Sequence, residues 1–386
     1  MNKNTGKDLP TVVIATGVMN AGGTETLIME MLRHRTGRVR YVMMIHHQGE
    51  IPVGIYDKEL RRMGVEMVYI PSVGALGVNG YCRKFKEVVK EIGRVDIVHS
   101  HLNANGGIIC MAAKKAGIRH RISHCHADIR FKGSQLQNLK SELSLQVLRL
   151  YINHYSNHFW ACSHAAWKRL FYPWKQEVVI PNMINVEAYL SSDEKEVAKA
   201  AIGIEGKFVV GSVGRVARIK NYELAIRAVA LLKEQGREAH FVCYGRFDAE
   251  HDKYCAELLS LAEELKVSDR IHFKGNTTEV ARDVKAFDVF LMPSTTEGFG
   301  MAAIEAQAAG IPALLSYGVP QIVDVGVGLA TFLPVNNVQA WAEAIVRVRE
   351  SERPENSVIV EAFDRMGYNS VTMVKKIEYK YLEICQ

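Results

Sequence analysis

Lys207-Phe208-Val209-Val210-Gly211-Ser212-Val213-Gly214 is a short apolar run that ends in a glycine turn. The same design occurs once earlier, where Thr11-Val12-Val13-Ile14-Ala15-Thr16 runs into Gly17. An apolar run of four to eight residues bounded by turn signals fits a strand buried on both faces. Both runs lead through a glycine-containing loop into a helical pattern, from Thr24 in the first case and over residues 222–235 in the second. Two starts of one pattern predict two parallel α/β sheets rather than one.

The rest of the chain alternates in the same way. Strands fit residues 41–45, 66–70, 96–100, 121–125 and 158–162 in the first half, and 240–244, 270–273, 289–292 and 312–315 in the second. Helices fit residues 81–92, 106–116 and 135–155. Such alternation is the mark of βαβ units. Residues 181–205, rich in Pro, Asn, Ser and charge, read as the linker region. A length of 386 residues gives two domains as the prior. The expected division is 1–182 and 183–367, each with an open sheet whose ligands sit at the carboxyl ends of its strands. Two such edges facing each other would make a deep cleft.

No apolar run is long enough to span a bilayer, and Met1 to Pro10 lacks a secretory apolar core. The seven cysteines are scattered and form no Cys-x-x-Cys pair, so they read as reduced thiols in a cytoplasmic protein. The net charge of +6 is unevenly spread. Residues 1–180 carry 25 Lys/Arg against 13 Asp/Glu, whereas residues 181–386 carry 23 against 29. The first half should therefore attract anions or an anionic membrane, unless it is only a solvated basic surface. Nothing points to nucleic acid.

The chemistry concentrates in Glu297-Gly298-Phe299-Gly300-Met301-Ala302-Ala303-Ile304-Glu305 and in Gly214-Arg215-Val216-Ala217-Arg218-Ile219-Lys220-Asn221. The first follows a strand and should open a helix at its glycines, with free N–H groups and a positive dipole end that favour phosphate. Glu305, two helical turns beyond Glu297, can accept two hydrogen bonds from a ribose diol. The second lies at the end of the restarted strand. An Arg/Lys pair there can stabilise a departing diphosphate. A capped helix and a basic surface turn would explain either motif alone, but not both at matching strand ends.

Together these residues resemble the retaining GT-B glycosyltransferases of family GT4, the glycosyl transferases group 1 used in bacterial surface-polysaccharide synthesis. The resemblance covers nearly the whole chain. Gly22-Gly23-Thr24-Glu25 is similar to the family's N-terminal glycine loop, Ser163 to its strand-end serine, and Pro181-Asn182 to its interdomain turn. It implies that Arg215 and Lys220 hold the diphosphate and Glu305 the ribose. Glu297, Phe299 and Gly300 would contact the donor sugar, and Gly23 would let the opposite loop approach the phosphates. No metal and no cofactor is implied; the donor, expected as a UDP-sugar, is a substrate. The acceptor would be a saccharide, free or polyprenyl-diphosphate-linked, and the enzyme a hexosyltransferase. The resemblance also implies that a C-terminal helix, about residues 368–384, packs back on the N-terminal, acceptor-binding domain. Departures are Asn182-Met183-Ile184-Asn185 for the usual Asn-Gly-Ile-Asp, Pro320-Gln321 for Pro-Glu, and a single Gly245 before Arg246.

Eleven of the fourteen histidines precede residue 165, and His99/His101 and His124/His126 are spaced i, i+2. Each pair faces one side of its strand and could chelate a metal, but no Cys or carboxylate cluster completes a site. The resemblance instead places a histidine at an N-domain strand end near the donor sugar. His126 is the first choice and His124 the second, with His101 and Asn103 on the acceptor side. After them, in the stretch Arg130 to Tyr155, Arg130, Lys132, Lys140 and Arg149 mix with leucines. Core packing is the commoner cause of such a pattern. A helix lying on the inner face of an anionic membrane is the alternative.

Three rivals remain. A nucleotide-sugar 2-epimerase of the same fold would need further carboxylates and histidines for proton abstraction. A nicotinamide dehydrogenase would need Gly-x-Gly-x-x-Gly after the first strand, which neither Gly17–Gly23 nor Gly211–Gly214 supplies. A saccharide-binding protein without turnover would have no use for the full charged set.

Overall fold

The computed structural model describes residues 9–20, 22–51, 53–126, 134–190, 195–277, 279–349 and 352–386. It divides into two compact units, residues 1–183 with 370–386, and residues 184–369.

The first unit is built on seven strands: β1 (Thr11–Thr16), β2 (Arg40–His47), β3 (Glu66–Pro71), β4 (Ile97–Ser100), β5 (His120–Cys125), β6 (His158–Ala161) and β7 (Glu177–Val179). Their order is β3-β2-β1-β4-β5-β6-β7, all parallel. β1, central and fully buried, reads Val-Val-Ile-Ala because both faces are covered by helices. Val12 and Ile14 face one helical layer and Val13 and Ala15 the other. The C-terminal helix Ser370–Cys385 packs in the first of these layers through Met373, Val374, Ile377 and Tyr381. Tyr41 donates to Glu378 of that helix at 3.1 Å.

The second unit has six parallel strands, β8 (Val209–Val213), β9 (His240–Tyr244), β10 (Ile271–Gly275), β11 (Val289–Met292), β12 (Ala313–Ser316) and β13 (Ala330–Leu333), in the order β10-β9-β8-β11-β12-β13. The order reverses beside β8 and β11. Such a switch point is where an open α/β sheet leaves room for a ligand.

Three findings differ from the sequence expectations. Residues 184–190 and 195–205 are not a free linker: Ile184, Val186, Tyr189 and Ile204 are buried in the core of the second unit. The edge strands β7 and β13, and the helices Lys253–Glu264, Val338–Val348 and Asn356–Met366, were not anticipated. They are short or locally ambiguous and owe their state to packing. Finally, the helix Gln135–Tyr155 is buried only at Leu145, Ile152 and Asn153. At Gly107 it crosses the helix Gly106–Lys115 so closely that a Cβ would lie 2.4 Å from the Ile152 nitrogen. Its other face leaves Leu136, Leu139, Leu143, Val147 and Leu150 between 53% and 63% exposed, so core packing accounts for only part of the pattern. Arg130 and Lys132 lie outside the described residues.

Candidate active site

In the second unit, three loops at the carboxyl end of the sheet are tied together by backbone hydrogen bonds. After β8 the chain makes a 3-10 turn at Arg218–Lys220 and enters the left-handed region at Asn221, φ +54°. Asparagine tolerates that conformation because its short side chain can bond locally, and Asn221 donates to the Pro293 carbonyl at 3.2 Å. Thr295 N donates to the Ile219 carbonyl at 2.8 Å, and Glu297 N to the Gly318 carbonyl at 3.0 Å. Ser316 Oγ donates to the Ser294 carbonyl. Loops carry function best when held to a rigid scaffold in this way.

This framework brings Lys220 to Glu297. Lys220 Nζ donates to Glu297 Oε1 at 2.5 Å, and Ser294 Oγ donates to the same oxygen at 2.6 Å. Both side chains of the ion pair are largely buried, at 20% and 13% exposed. Arg215 stands at the same strand end but is exposed. It lines a hollow of about 290 Å³ with Arg246, Asp248 and His251. Gly245 has a steric reason to be glycine: a Cβ there would lie 1.9 Å from the Gly214 carbonyl oxygen.

The glycine-led helix is present, but it begins later than expected. It spans Met301–Ala308 and is capped by Gly300 at φ +100°, a backbone conformation that disfavours any side chain. No side chain caps it, so the first amides and the positive dipole end are left for a ligand. Glu305 is thus little more than one turn inside, not two, and Glu297 lies outside the helix altogether. Burial pushes the Glu305 carboxyl up to about 7, against a weaker opposing hydrogen bond from Tyr189. The Phe299 ring is spent on packing, edge-on to Tyr368 at 5.8 Å, which leaves its backbone as the ligand-facing part. Gln307, unremarked in the sequence, is fully buried. It donates to the Ala303 and Val323 carbonyls at 2.9 and 2.8 Å and accepts from Val325 N at 3.2 Å. It therefore locks the helix to the segment after β12. Ser294, Tyr189 and Gln307 carried no sequence signal, because each acts through a contact made only in the folded unit.

In the first unit, β4 and β5 run side by side with His99 opposite Ile122 and Ser100 opposite Ser123. That register puts both histidine pairs on one face. His99 Nε2 lies 3.2 Å from His124 Nδ1, and His101 Nδ1 lies 2.8 Å from His126 Nε2. His99, His101 and His124 are buried, whereas His126 is partly exposed past the strand end. His126, at the strand end, is therefore the least enclosed of the four and His124 is an interior one. Asn103, at φ +48°, accepts from His126 N at 2.7 Å and joins the two strand ends. Burial holds all four imidazoles neutral, with His126 pushed down to about 3 and the others well below the usual range, helped by their mutual repulsion. Gly23 opens the helix Gly23–Arg33, and nothing lies within 4 Å of where its Cβ would be. Open space there is what close approach by a ligand requires. Ser163 caps the helix His164–Leu170, accepting from Ala166 N at 3.2 Å.

Two parallel-sheet α/β units of this kind define the GT-B fold of glycosyltransferases. Over 97% of this chain and all of the other, the structure is similar to Anabaena Alr3699/HepE in complex with UDP, with a TM-score of 0.76 at 18% identity. It is also similar to a glycosyltransferase from Rickettsia africae ESF-5, with a TM-score of 0.77 at 16% identity over 98% and 99% of the two chains. In sequence it is 30% identical over 360 residues to EpsF of Bacillus subtilis (strain 168), which carries a glycosyltransferase name, covering 91% of each chain. It is 25% identical, over 78% of each chain, to the UDP-Gal:alpha-D-GlcNAc-diphosphoundecaprenol alpha-1,3-galactosyltransferase of Escherichia coli. Residues 194–368 match the family model described as glycosyl transferases group 1, and the chain belongs to that family.

Proposed function

We propose that the protein is a retaining hexosyltransferase, of the GT4 type, which moves a sugar from a nucleotide-diphosphate donor to a saccharide or lipid-linked saccharide in cell-surface glycan synthesis. The observation that carries this is the Lys220–Glu297 pair, set at 2.5 Å before a glycine-capped helix that bears Glu305. A diphosphate seated there meets the Lys220 ammonium, the Arg215 guanidinium and the free helix amides. Glu305 accepts the ribose hydroxyls. The bond from the anomeric carbon to the diphosphate breaks, and its electron pair leaves with the phosphate oxygen. The acceptor hydroxyl attacks the same face and passes its proton to that oxygen. Fixed cations aimed at charge that grows in the transition state lower the barrier without reorganising. Glu297 contacts the sugar; a covalent Glu297 intermediate is the lesser alternative. Within the first unit, His126 is assigned to the donor sugar, Gly23 to the phosphates, and His101, Asn103 and His124 to the acceptor side.

UDP is the expected nucleotide. The bound UDP of the Anabaena protein and the UDP-galactose in the name of the Escherichia coli relative support it. Donor consumption over a panel of UDP-, GDP- and ADP-sugars tests the proposal; no consumption of any of them, with acceptor mixtures present, contradicts it. Because Lys220 and Arg215 supply the positive charge, transfer proceeds without magnesium or manganese. Rates measured with and without each ion check this, and a strict need for either refutes it.

A peripheral position on the cytoplasmic membrane face fits the same function. No helix among the described residues is long and apolar enough to cross a membrane. The helix Gln135–Tyr155, however, displays its leucine stripe beside Lys140 and Arg149. Arg149 sits over the Tyr172 ring, which in turn contacts the exposed Trp174. Apolar residues, an interfacial tryptophan and basic side chains together suit an anionic lipid surface. Each Lys or Arg near such a surface contributes about 1 kcal/mol, within a screening length of about 8 Å at physiological salt. Vesicles containing phosphatidylglycerol should bind the protein at low salt and release it as salt rises. Replacing Leu139 and Leu143 with Ser, and Lys140 and Arg149 with Gln, should weaken binding while donor hydrolysis persists. Wild-type protein that ignores these vesicles at low salt rules the docking out.

A further inference from the structure

We propose that His99, His101 and His124 form a buried transition-metal site in the first unit, suited to zinc. The site is separate from the donor chemistry and does not rest on the transferase reading.

The argument begins with the sheet. An i, i+2 pair on one strand offers two imidazoles and no more. Pairing β4 with β5 in the observed register places the second pair beside the first. One ring nitrogen from each of His99, His101 and His124 then lies within 4.8 Å of the others. All three residues are at most 3% exposed. His99 Nε2 and His124 Nδ1 face each other at 3.2 Å, near the edge of a tetrahedron whose metal–nitrogen bonds are about 2.0–2.1 Å.

The cluster is also under-satisfied as a purely hydrogen-bonded array. His101 Nε2 and His124 Nε2 are buried with no hydrogen-bond partner, a condition native interiors rarely leave unexplained. A ligand that accepts several imidazole lone pairs at once resolves it. The surroundings match those of a structural centre. His99 Nδ1 is held by the Tyr381 hydroxyl at 2.6 Å, which orients the ring and leaves Nε2 as the ligating atom. The Trp160 ring lies edge-on to both His99 and His124, at 4.9 and 6.1 Å. Imidazole donors favour zinc, copper or nickel over magnesium or calcium. A metal here would join β4 to β5 and, through His99 and Tyr381, to the C-terminal helix. Its role would be stability of the first unit, leaving the diphosphate to Lys220 and Arg215.

The test uses the full chain without a histidine tag, stripped of metal and then given zinc or cobalt(II). We expect one equivalent bound per chain, a raised melting temperature, and cobalt ligand-field absorption of tetrahedral intensity. X-ray absorption on the zinc form should show a first shell of nitrogen at imidazole distances. The double variant His99→Gln/His124→Gln should lose the cobalt spectrum; if it does not fold, His99→Gln alone makes the comparison. Wild-type protein that gives no such cobalt spectrum, a first shell containing sulfur, or a spectrum kept in the variants overturns the proposal.

Discussion

Replacing Lys220 with alanine should lower turnover about a hundredfold or more while leaving the fold and the donor Michaelis constant nearly unchanged. The ammonium acts on charge that develops as the diphosphate departs, and removing one such preorganised donor typically costs about two to three orders of magnitude. A loss confined to turnover is the signature of an interaction made mainly in the transition state. In the ligand-free unit Lys220 is held by Glu297, itself bonded to Ser294, so its position is set before substrate arrives. The variant leaves Glu297 partly buried without its cation, and a thermal melt should accompany the kinetics to separate misfolding from lost chemistry. Lys220→Arg should recover only part of the rate, since a planar fork does not replace a point charge at 2.5 Å. A variant with normal turnover and a raised Michaelis constant would remove Lys220 from the bond-breaking step.

Glu305→Ala should behave in the opposite way, raising the donor Michaelis constant about a hundredfold or more with a smaller change in turnover. A carboxylate that accepts hydrogen bonds from a ribose diol contributes roughly 1.5–3 kcal/mol for each charge-assisted bond, equally in the ground and transition states. Its titration supplies a second readout. Burial raises the free carboxyl to about 7, and the diol needs the ionised form. Donor affinity is therefore full above that value and falls as pH drops through it, with a limiting loss of about tenfold per pH unit. Glu305→Gln, which has no proton to gain, should bind weakly at every pH and remove this dependence. Equal, small effects from Lys220→Ala and Glu305→Ala would defeat both assignments.

The sequence showed the scaffold better than the contacts. β1, β9, β11 and the helix Gln135–Tyr155 could be read residue by residue, because a strand buried on both faces or a long periodic helix writes its state locally. Edge strands such as β13 are short and only partly buried, and their pairing is decided by their neighbours. The helix after Gly300 was placed but started too early, because the glycines before it mark a turn as well as a cap. Arg215, Lys220, Glu297 and His126 fall at strand ends and in loops, where motif spacing is informative, whereas Glu305 lies within a helix and His124 within β5. Ser294, Tyr189 and Gln307 were invisible because their work is to hold other residues. The histidines show the limit most clearly. Read along the chain, they are two incomplete pairs. Only the adjacency of β4 and β5, a fact of topology, brings His99 within 3.2 Å of His124 and makes one cluster of four.

The central claim is that this chain breaks a sugar–diphosphate bond with retention at the site of Lys220, Glu297 and Glu305. Proton NMR of the reaction, started with whichever α-linked nucleotide sugar the donor panel shows to be consumed, tests it most directly. The account predicts that the first anomer formed is α, in the transferred or hydrolysed sugar alike, and that Lys220→Ala forms it about a hundredfold more slowly. A β anomer as the first product, or an undiminished rate in Lys220→Ala, would contradict it.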